Sequence, residues 1–287
     1  MKVVEDIDAA RRLVGRAKAA GKVVGFVPTL GGMHEGHFSL IRAANEACDF
    51  VVVSIFVNPT QFGPNEDLAG YPRTAEADLA ACRKLAVDVV FMPSAETMYG
   101  SGSLTEITVK QLGETLCGAS RPWHFGGVCT VVAKLFNIVQ PDKAFFGAKD
   151  FQQAAIIRRM ARDLNFPIEI VVCPTVREPD GLATSTRNAY LTAEQRRQAA
   201  ELYRSLRMAE RMIARSRPPA DEVLDAIRGH LSANAPDGLV DYVRIVDPAT
   251  LRDVESTSGR VLVAAAVKLG RARLIDNIVV EAACGGP

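Results

Sequence analysis

Two histidines three residues apart, His34 and His37, stand in the segment Pro28-Thr-Leu-Gly-Gly-Met-His-Glu-Gly-His37. Imidazole N–H groups aimed at a phosphate can stabilise the charge that builds on its oxygens as phosphorus is attacked. The spacing puts both rings on one side of a helical turn. Gly31 and Gly32 let the backbone approach a ligand closely, and Gly36 falls where a helix begins, an end that offers N–H groups to an anion. The chain has four histidines and two of them share this turn, so the pair reads as functional. Metal ligation is the lesser reading: no third ligand is evident nearby, and Glu35 points elsewhere on a helix.

Three further groups carry chemistry. Asn58-Pro59-Thr60-Gln61 ends an apolar run, and a neutral amide there can both donate and accept, which suits a hydroxy acid. Behind it, the stretch through Glu66 and Asp67 to Thr74 has the length of a gate over a pocket. Gly147-Ala148-Lys149-Asp150 lies between a strand and a helix, where Lys149 is placed to neutralise phosphate. Asp150 either binds a ribose hydroxyl or caps the helix, and Gln153 leaves the first turn as a partner for Gln61. Thr184-Ser185-Thr186-Arg187-Asn188, after the turn Pro179-Asp180-Gly181, combines hydroxyls and a guanidinium suited to a triphosphate.

These residues need a scaffold that brings loops together. Apolar runs at 22–28, 50–57, 88–93, 143–147 and 167–176 read as strands, with helical patterns over 36–48, 74–85 and 150–164 between them. Such alternation indicates an α/β fold with a parallel sheet covered on both faces, its ligand loops along one edge. Beyond Arg177 the character changes. Thr192 and Gln195 form a capping box for a helix over 193–214, Pro218-Pro219 breaks it, and a helix over 221–232 precedes strands at 241–246, 260–268 and 273–280. We place a first domain at 1–178 and a smaller α+β domain at 179–287, with the boundary within 176–190.

Composition removes several classes. Lys plus Arg, 34, nearly cancel Asp plus Glu, 33, which leaves no footprint for nucleic acid. The longest apolar stretch, Val261 to Val267, is far short of the ~20 residues that span a membrane, and MKVVEDIDAARR meets charge too early for a signal peptide. Cysteines at 48, 82, 117, 129, 173 and 284, with no CxxC pair, read as reduced thiols of a cytoplasmic protein.

The segments VPTLGGMHEGHFSLIRAA, IFVNPTQFGPNEDLAGYPRT, RPWHFGGVCTVVAKLFNIVQPDKAFFGAKDFQQ and PTVREPDGLATSTRNAYL, in order and spacing over about 25–190, resemble the pantothenate synthetases of the HxGH nucleotidyltransferase superfamily. HxGH alone names only the superfamily; NPTQF, the RPWHF run and KDFQQ narrow it. The resemblance implies a Rossmann-like first domain, a second domain that closes as a lid over ATP, magnesium with the ATP, and a homodimer. It implies ATP contacts from Leu30, Gly31, Gly32, Met33, His34, Glu35, Gly36 and His37, from Gly147, Ala148, Lys149 and Asp150, from Val176, and from Thr184, Ser185, Thr186 and Arg187. Gln61 and Gln153 would hold pantoate, with Gln61 also near β-alanine. His37 is the family's catalytic residue, with His34, Lys149 and Arg187 acting beside it. No metal ligand is fixed, and Asp78 is only a candidate. Leu30, Ala148, Thr186 and Trp123 depart from the family's usual methionine, glutamate, serine and glycine. Two rivals remain: an HxGH enzyme that adenylylates a phosphorylated molecule, for which paired amides are a poor match, and a non-catalytic nucleotide sensor.

Overall fold

Runs of β-branched residues become the buried strands of a parallel sheet in the first part of the chain. The computed structural model describes residues 1–64 and 66–282. Two units result, Met1–Ala148 with Gln152–Pro174, and Lys149–Phe151 with the chain from Thr175 onward. As far as Cys173 the elements are β1 (Lys2–Val4), α1 (Ile7–Ala19), β2 (Val24–Thr29), α2 (Glu35–Ala47), β3 (Phe50–Ile55), α3 (Ala75–Lys84), β4 (Val89–Phe91), α4 (Ala95–Tyr99), α5 (Cys117–Ser120), α6 (His124–Val139), β5 (Lys143–Gly147), α7 (Phe151–Asp163) and β6 (Glu169–Cys173).

All six strands run parallel in the order β1-β4-β3-β2-β5-β6. Alternate residues face opposite layers. Val27, Val51, Val53 and Ile55 pack with Leu40, Ile41 and Ala44 of α2, while Phe26, on the other face, meets Phe136 of α6 edge-on. The strand order reverses between β2 and β5, so the crevice beyond their C-terminal ends is where such a sheet takes a ligand. β2 and β3 pair in register from Val24↔Phe50 to Thr29↔Ile55, and their loops leave the sheet side by side.

The second unit contains α8 (Ala193–Ser216), α9 (Ala220–Asn234), β7 (Gly238–Val246), β8 (Gly259–Leu269) and β9 (Ala272–Ala282). The strands form an antiparallel sheet in sequence order. Gln195 N–H donates to Thr192 Oγ1 at 3.2 Å and Thr192 N–H to Gln195 Oε1 at 3.1 Å, which is the capping box read from the sequence. Arg217, left-handed at φ 48°, ends α8 before the two prolines. Leu206, Ile213, Ile227, Val263 and Ala265 lie in the core shared by helices and sheet. The element boundaries fall close to those expected. The sequence reading did not assign β1, α1, α4, α5 or α6.

Among the described residues no helix is long and apolar enough to cross a membrane. Cys48, Cys82, Cys117, Cys129 and Cys173 are free thiols, and Cys284 lies outside the described residues. Burial pushes Cys129 up to about 12 and, with help from the Asp78 charge, Cys82 up to about 11. The thiolate is the reactive form. At pH 8 iodoacetamide should therefore leave Cys82 and Cys129 unmodified in the native protein and alkylate both in guanidinium. Mass-mapped labelling checks this, and rapid native modification of either would contradict the burial.

Candidate active site

The turn between β2 and α2 makes its shape by satisfying its own backbone. Gly31 and Gly32 have φ of 86° and 60°, a region that L side chains enter rarely. Gly31 N–H donates to Thr29 Oγ1 at 3.2 Å. Gly32 N–H reaches Asp78 Oδ2 at 3.0 Å and Met33 N–H reaches Asp78 Oδ1 at 2.9 Å. Asp78, buried in the first turns of α3, also accepts from Thr74 Oγ1 at 3.1 Å. Both carboxylate oxygens of the candidate magnesium ligand thus hold the glycine turn.

The histidines close the next step. His34 is the N-cap of α2 in extended conformation, so the two rings meet through a capping box rather than as neighbours on a helix face. Gly36 N–H donates to His34 Nδ1 at 3.1 Å, and His34 N–H donates to His37 Nδ1 at 3.3 Å. The ring centroids lie 4.2 Å apart. A neutral imidazole that accepts at Nδ1 carries its hydrogen on Nε2. Each histidine therefore has an Nε2–H donor. The N–H groups of His34 and Gly36 are thus bonded to ring nitrogens, and the imidazoles add side-chain donors at the helix start. A Cβ at Gly36 would come within 2.9 Å of His34 Cε1, so the fold-back of that ring needs glycine. Glu35 points away and pairs with Arg42 on the exposed side, as expected.

Gln61 sits on a single 3-10 turn, Pro59–Gln61, beyond β3. Its amide orientation follows from a chain of donors and acceptors. The Gly127 carbonyl can only accept, and it takes Asn58 Nδ2 at 3.1 Å. Asn58 Oδ1 then accepts from Tyr99 OH at 2.7 Å, Thr60 Oγ1 at 3.0 Å and Thr60 N–H at 3.3 Å. Asn58 Nδ2 also donates to Gln61 Oε1 at 3.4 Å, so Gln61 keeps Nε2 as a donor with no hydrogen bond to any described residue. The turn lies directly on α6: a Cβ at Gly127 would fall 2.4 Å from the Thr60 carbonyl oxygen. Burial raises the Tyr99 hydroxyl above its ordinary range, against the opposing hydrogen bonds from Thr60 and Asn58, so it stays a donor at neutral pH.

The two glutamines of KDFQQ have different roles. Gln152 Oε1 accepts from Cys117 N–H at 3.0 Å while Nε2 donates to the carbonyls of Leu112 at 2.9 Å and Thr115 at 2.7 Å, fixing the segment before α6. Gln153, in the first turn of α7, is half-buried, and its side chain makes no hydrogen bond to the described residues. Leu30, Gly147 and Ala148 are likewise half-buried.

The remaining expected residues belong to the second unit. Lys149, 3.6 Å from Asp150, has its carbonyl held by Asn277 Nδ2 of β9 at 2.8 Å. Thr184 N–H donates to the Val176 carbonyl at 3.0 Å, placing Val176 and Thr184 opposite each other in a short hairpin. Ser185 Oγ accepts from Arg187 N–H at 3.3 Å and caps the 3-10 turn Thr186–Tyr190. Arg177 is committed to structure: it stacks 3.7 Å over Tyr203 and binds both oxygens of buried Asp276 at 2.6 and 3.0 Å. The sequence reading missed Asn58, Tyr99, Arg121, His124 and Asn277 as supports.

A family model described as pantoate-beta-alanine ligase matches residues 2–279. The chain is 54% identical over 281 residues to a pantothenate synthetase of Moorella thermoacetica, spanning 98% of this chain and 99% of the relative. It is 45% identical to a pantothenate synthetase structure from Thermus thermophilus, with a TM-score of 0.91 over 97% of this chain and 99% of the other. A pantoate-beta-alanine ligase from Francisella tularensis, complexed with beta-gamma ATP and beta-alanine, is 34% identical with a TM-score of 0.79 over 97% of each chain.

Asp78→Asn retains one acceptor but turns an NH2 group toward a backbone N–H. Loss of a buried hydrogen bond to a charged group costs about 1.5–3 kcal/mol. Amide exchange at Gly32 or Met33 should therefore quicken by roughly ten- to a hundredfold while circular dichroism stays native. Unchanged exchange would show that Asp78 does not hold the turn.

Proposed function

The chain belongs to the pantoate–β-alanine ligase family, and on that ground we propose that it condenses pantoate with β-alanine, using ATP, to give pantothenate, AMP and pyrophosphate. The carrying observation is a set of side-chain donors fixed in orientation by the fold: the Nε2–H groups of His34 and His37 and the Gln61 amide NH2. Donors alone complement a carboxylate and the oxygens of a phosphate.

The reaction runs in two steps. A carboxylate oxygen of pantoate attacks the α-phosphorus of ATP and pyrophosphate departs, leaving a pantoyl adenylate. The amine of β-alanine then attacks the acyl carbon, the bond to AMP breaks, and the amine loses a proton as the amide forms. Gln61 and Gln153 hold pantoate, and Gln61 also borders β-alanine. His37 and His34 donate to the oxygens that gain charge at phosphorus, while Lys149 and Arg187 neutralise the departing pyrophosphate. Leu30 to His37, Gly147 to Asp150, Val176 and Thr184 to Arg187 are the nucleotide contacts on this reading. Positioning and prearranged electrostatics supply the acceleration.

Magnesium is expected to arrive on the triphosphate and to supply charge neutralisation there. Among the described residues no group of three or more His, Cys, Asp or Glu can hold a cation. That suits an ion whose main ligands are phosphate oxygens and waters. An enzyme for a phosphorylated substrate would need an available cation beside Gln61, but the nearest arginine, Arg121, is engaged by Glu66. Buried reduced thiols support a cytoplasmic setting, and the family resemblance supports a homodimer.

Incubation with ATP, Mg²⁺ and pantoate, with and without β-alanine, tests the reaction. Amide and AMP should form only with all three substrates. His37→Ala should keep the fold and lose roughly a hundredfold in pantoate-dependent pyrophosphate release, the usual loss for one well-placed donor. Undiminished release would remove His37 from the mechanism.

A further inference from the structure

Beside the glutamine turn lies a second short turn, Arg121–His124, closed by His124 N–H donating to the Arg121 carbonyl at 3.0 Å. Three of its four side chains grip the stretch from Gln61 to Glu66. His124 Nδ1 lies 2.9 Å from the Gln61 carbonyl oxygen; a carbonyl only accepts, so Nδ1 carries the hydrogen. Arg121 Nη2 donates to the same oxygen at 3.3 Å. The Arg121 fork also binds both carboxylate oxygens of Glu66, with Nη2 at 2.6 Å from Oε2, and Gly63 N–H reaches Glu66 Oε2 at 3.2 Å.

Trp123 completes the grip. A Cβ at Gly63 would lie 2.2, 2.4 and 2.7 Å from Cζ2, Cε2 and Nε1 of the indole, so the ring rests on the Gly63 backbone. Gly63 has no positive φ, and glycine is needed there for space. The indole leaves 42% of its surface in solvent and packs its inner edge on Gly63.

We propose that Arg121 and His124 are positioning residues for Gln61, acting through its carbonyl, and that Trp123 tightens the segment behind it. Two donors on one carbonyl fix the Gln61 backbone, while Asn58 fixes its side-chain amide. Neither end of the residue can then rotate away from its substrate. In its functional consequence the proposal rests on the reading of Gln61 as a pantoate-binding group. The orienting effect stands on the geometry alone.

The test measures two things on the intact enzyme: hydrogen exchange of peptides covering 58–64, and KM for pantoate and for ATP. His124→Phe keeps a ring without the donor, whereas His124→Asn restores an N–H near the Nδ1 position. His124→Phe should speed exchange and raise the pantoate KM by about tenfold each, the usual effect of one lost hydrogen bond, with the ATP KM within about twofold. His124→Asn should recover most of both. Trp123→Gly, which removes only the clamp, should speed exchange at 62–64 and raise the pantoate KM by about threefold. Combined with Gln61→Leu, His124→Phe should add nothing further to the pantoate KM, since it acts through the missing amide. Unchanged exchange, an equal rise in both KM values, or an additive double variant would overturn the proposal. A silent Gln61→Leu would instead remove Gln61 from pantoate binding, and exchange would still decide whether the turn orients it.

Discussion

A backbone N–H cannot be buried without a partner, and the β2–α2 turn meets that requirement entirely with side chains. Five N–H groups between Gly31 and Gly36 are bound by Thr29, Asp78 and the two imidazoles. The histidines are thus structural acceptors at one nitrogen and donors at the other. Capping the helix sets the tautomer that the proposed phosphoryl chemistry would use, so on that proposal one arrangement serves both folding and function.

Polarity passes in the same directed manner through the neighbouring loop. It starts from the Gly127 carbonyl, which has no alternative role, runs through Asn58 and ends at the Gln61 amide. The first turn of α6 can supply that carbonyl only because it lies so close to Thr60 that residue 127 has no room for a side chain. Glu66 is held below the ordinary carboxylate range: burial pushes it up, but the hydrogen bonds and charge of Arg121, the Gly63 N–H and the His124 charge outweigh it. The sign follows from the depression. The pair contributes stability across neutral pH and loses it only as acid protonates Glu66 below its usual range.

Much of the fold was legible because strands and amphipathic helices announce themselves by period. Lys143–Gly147 coincides with the expected run, and α8 begins where Thr192 and Gln195 cap it. The helix α6 was not, because Phe125 to Val139 is buried on nearly every side. A segment apolar all round, rich in valine and opened by two glycines, shows no helical period. β1 is a three-residue strand, too short to display alternation. In the site, residue types and spacing pointed to His34, His37 and Gln61. Orientation was not legible, because it depends on partners far along the chain: Gly127 for Asn58, Asp78 for the glycine turn, Asn277 for Lys149. Position singled out Gln153 and Arg187, but it did not show what Gln152 and Arg177 do. Only the partners Leu112, Thr115 and Asp276 reveal which member of each pair builds the frame.

The tripeptide Lys149–Phe151 groups with the C-terminal unit although it lies in sequence between two pieces of the first, and Asn277 fastens its backbone. The two units are therefore not modular cassettes. A chimera joined at residue 174 would pair the lysine turn of one parent with the β9 asparagine of the other. Grafting the C-terminal unit of this chain would have to carry Lys149–Phe151 together with Asn277, a loop and a strand more than a hundred residues apart.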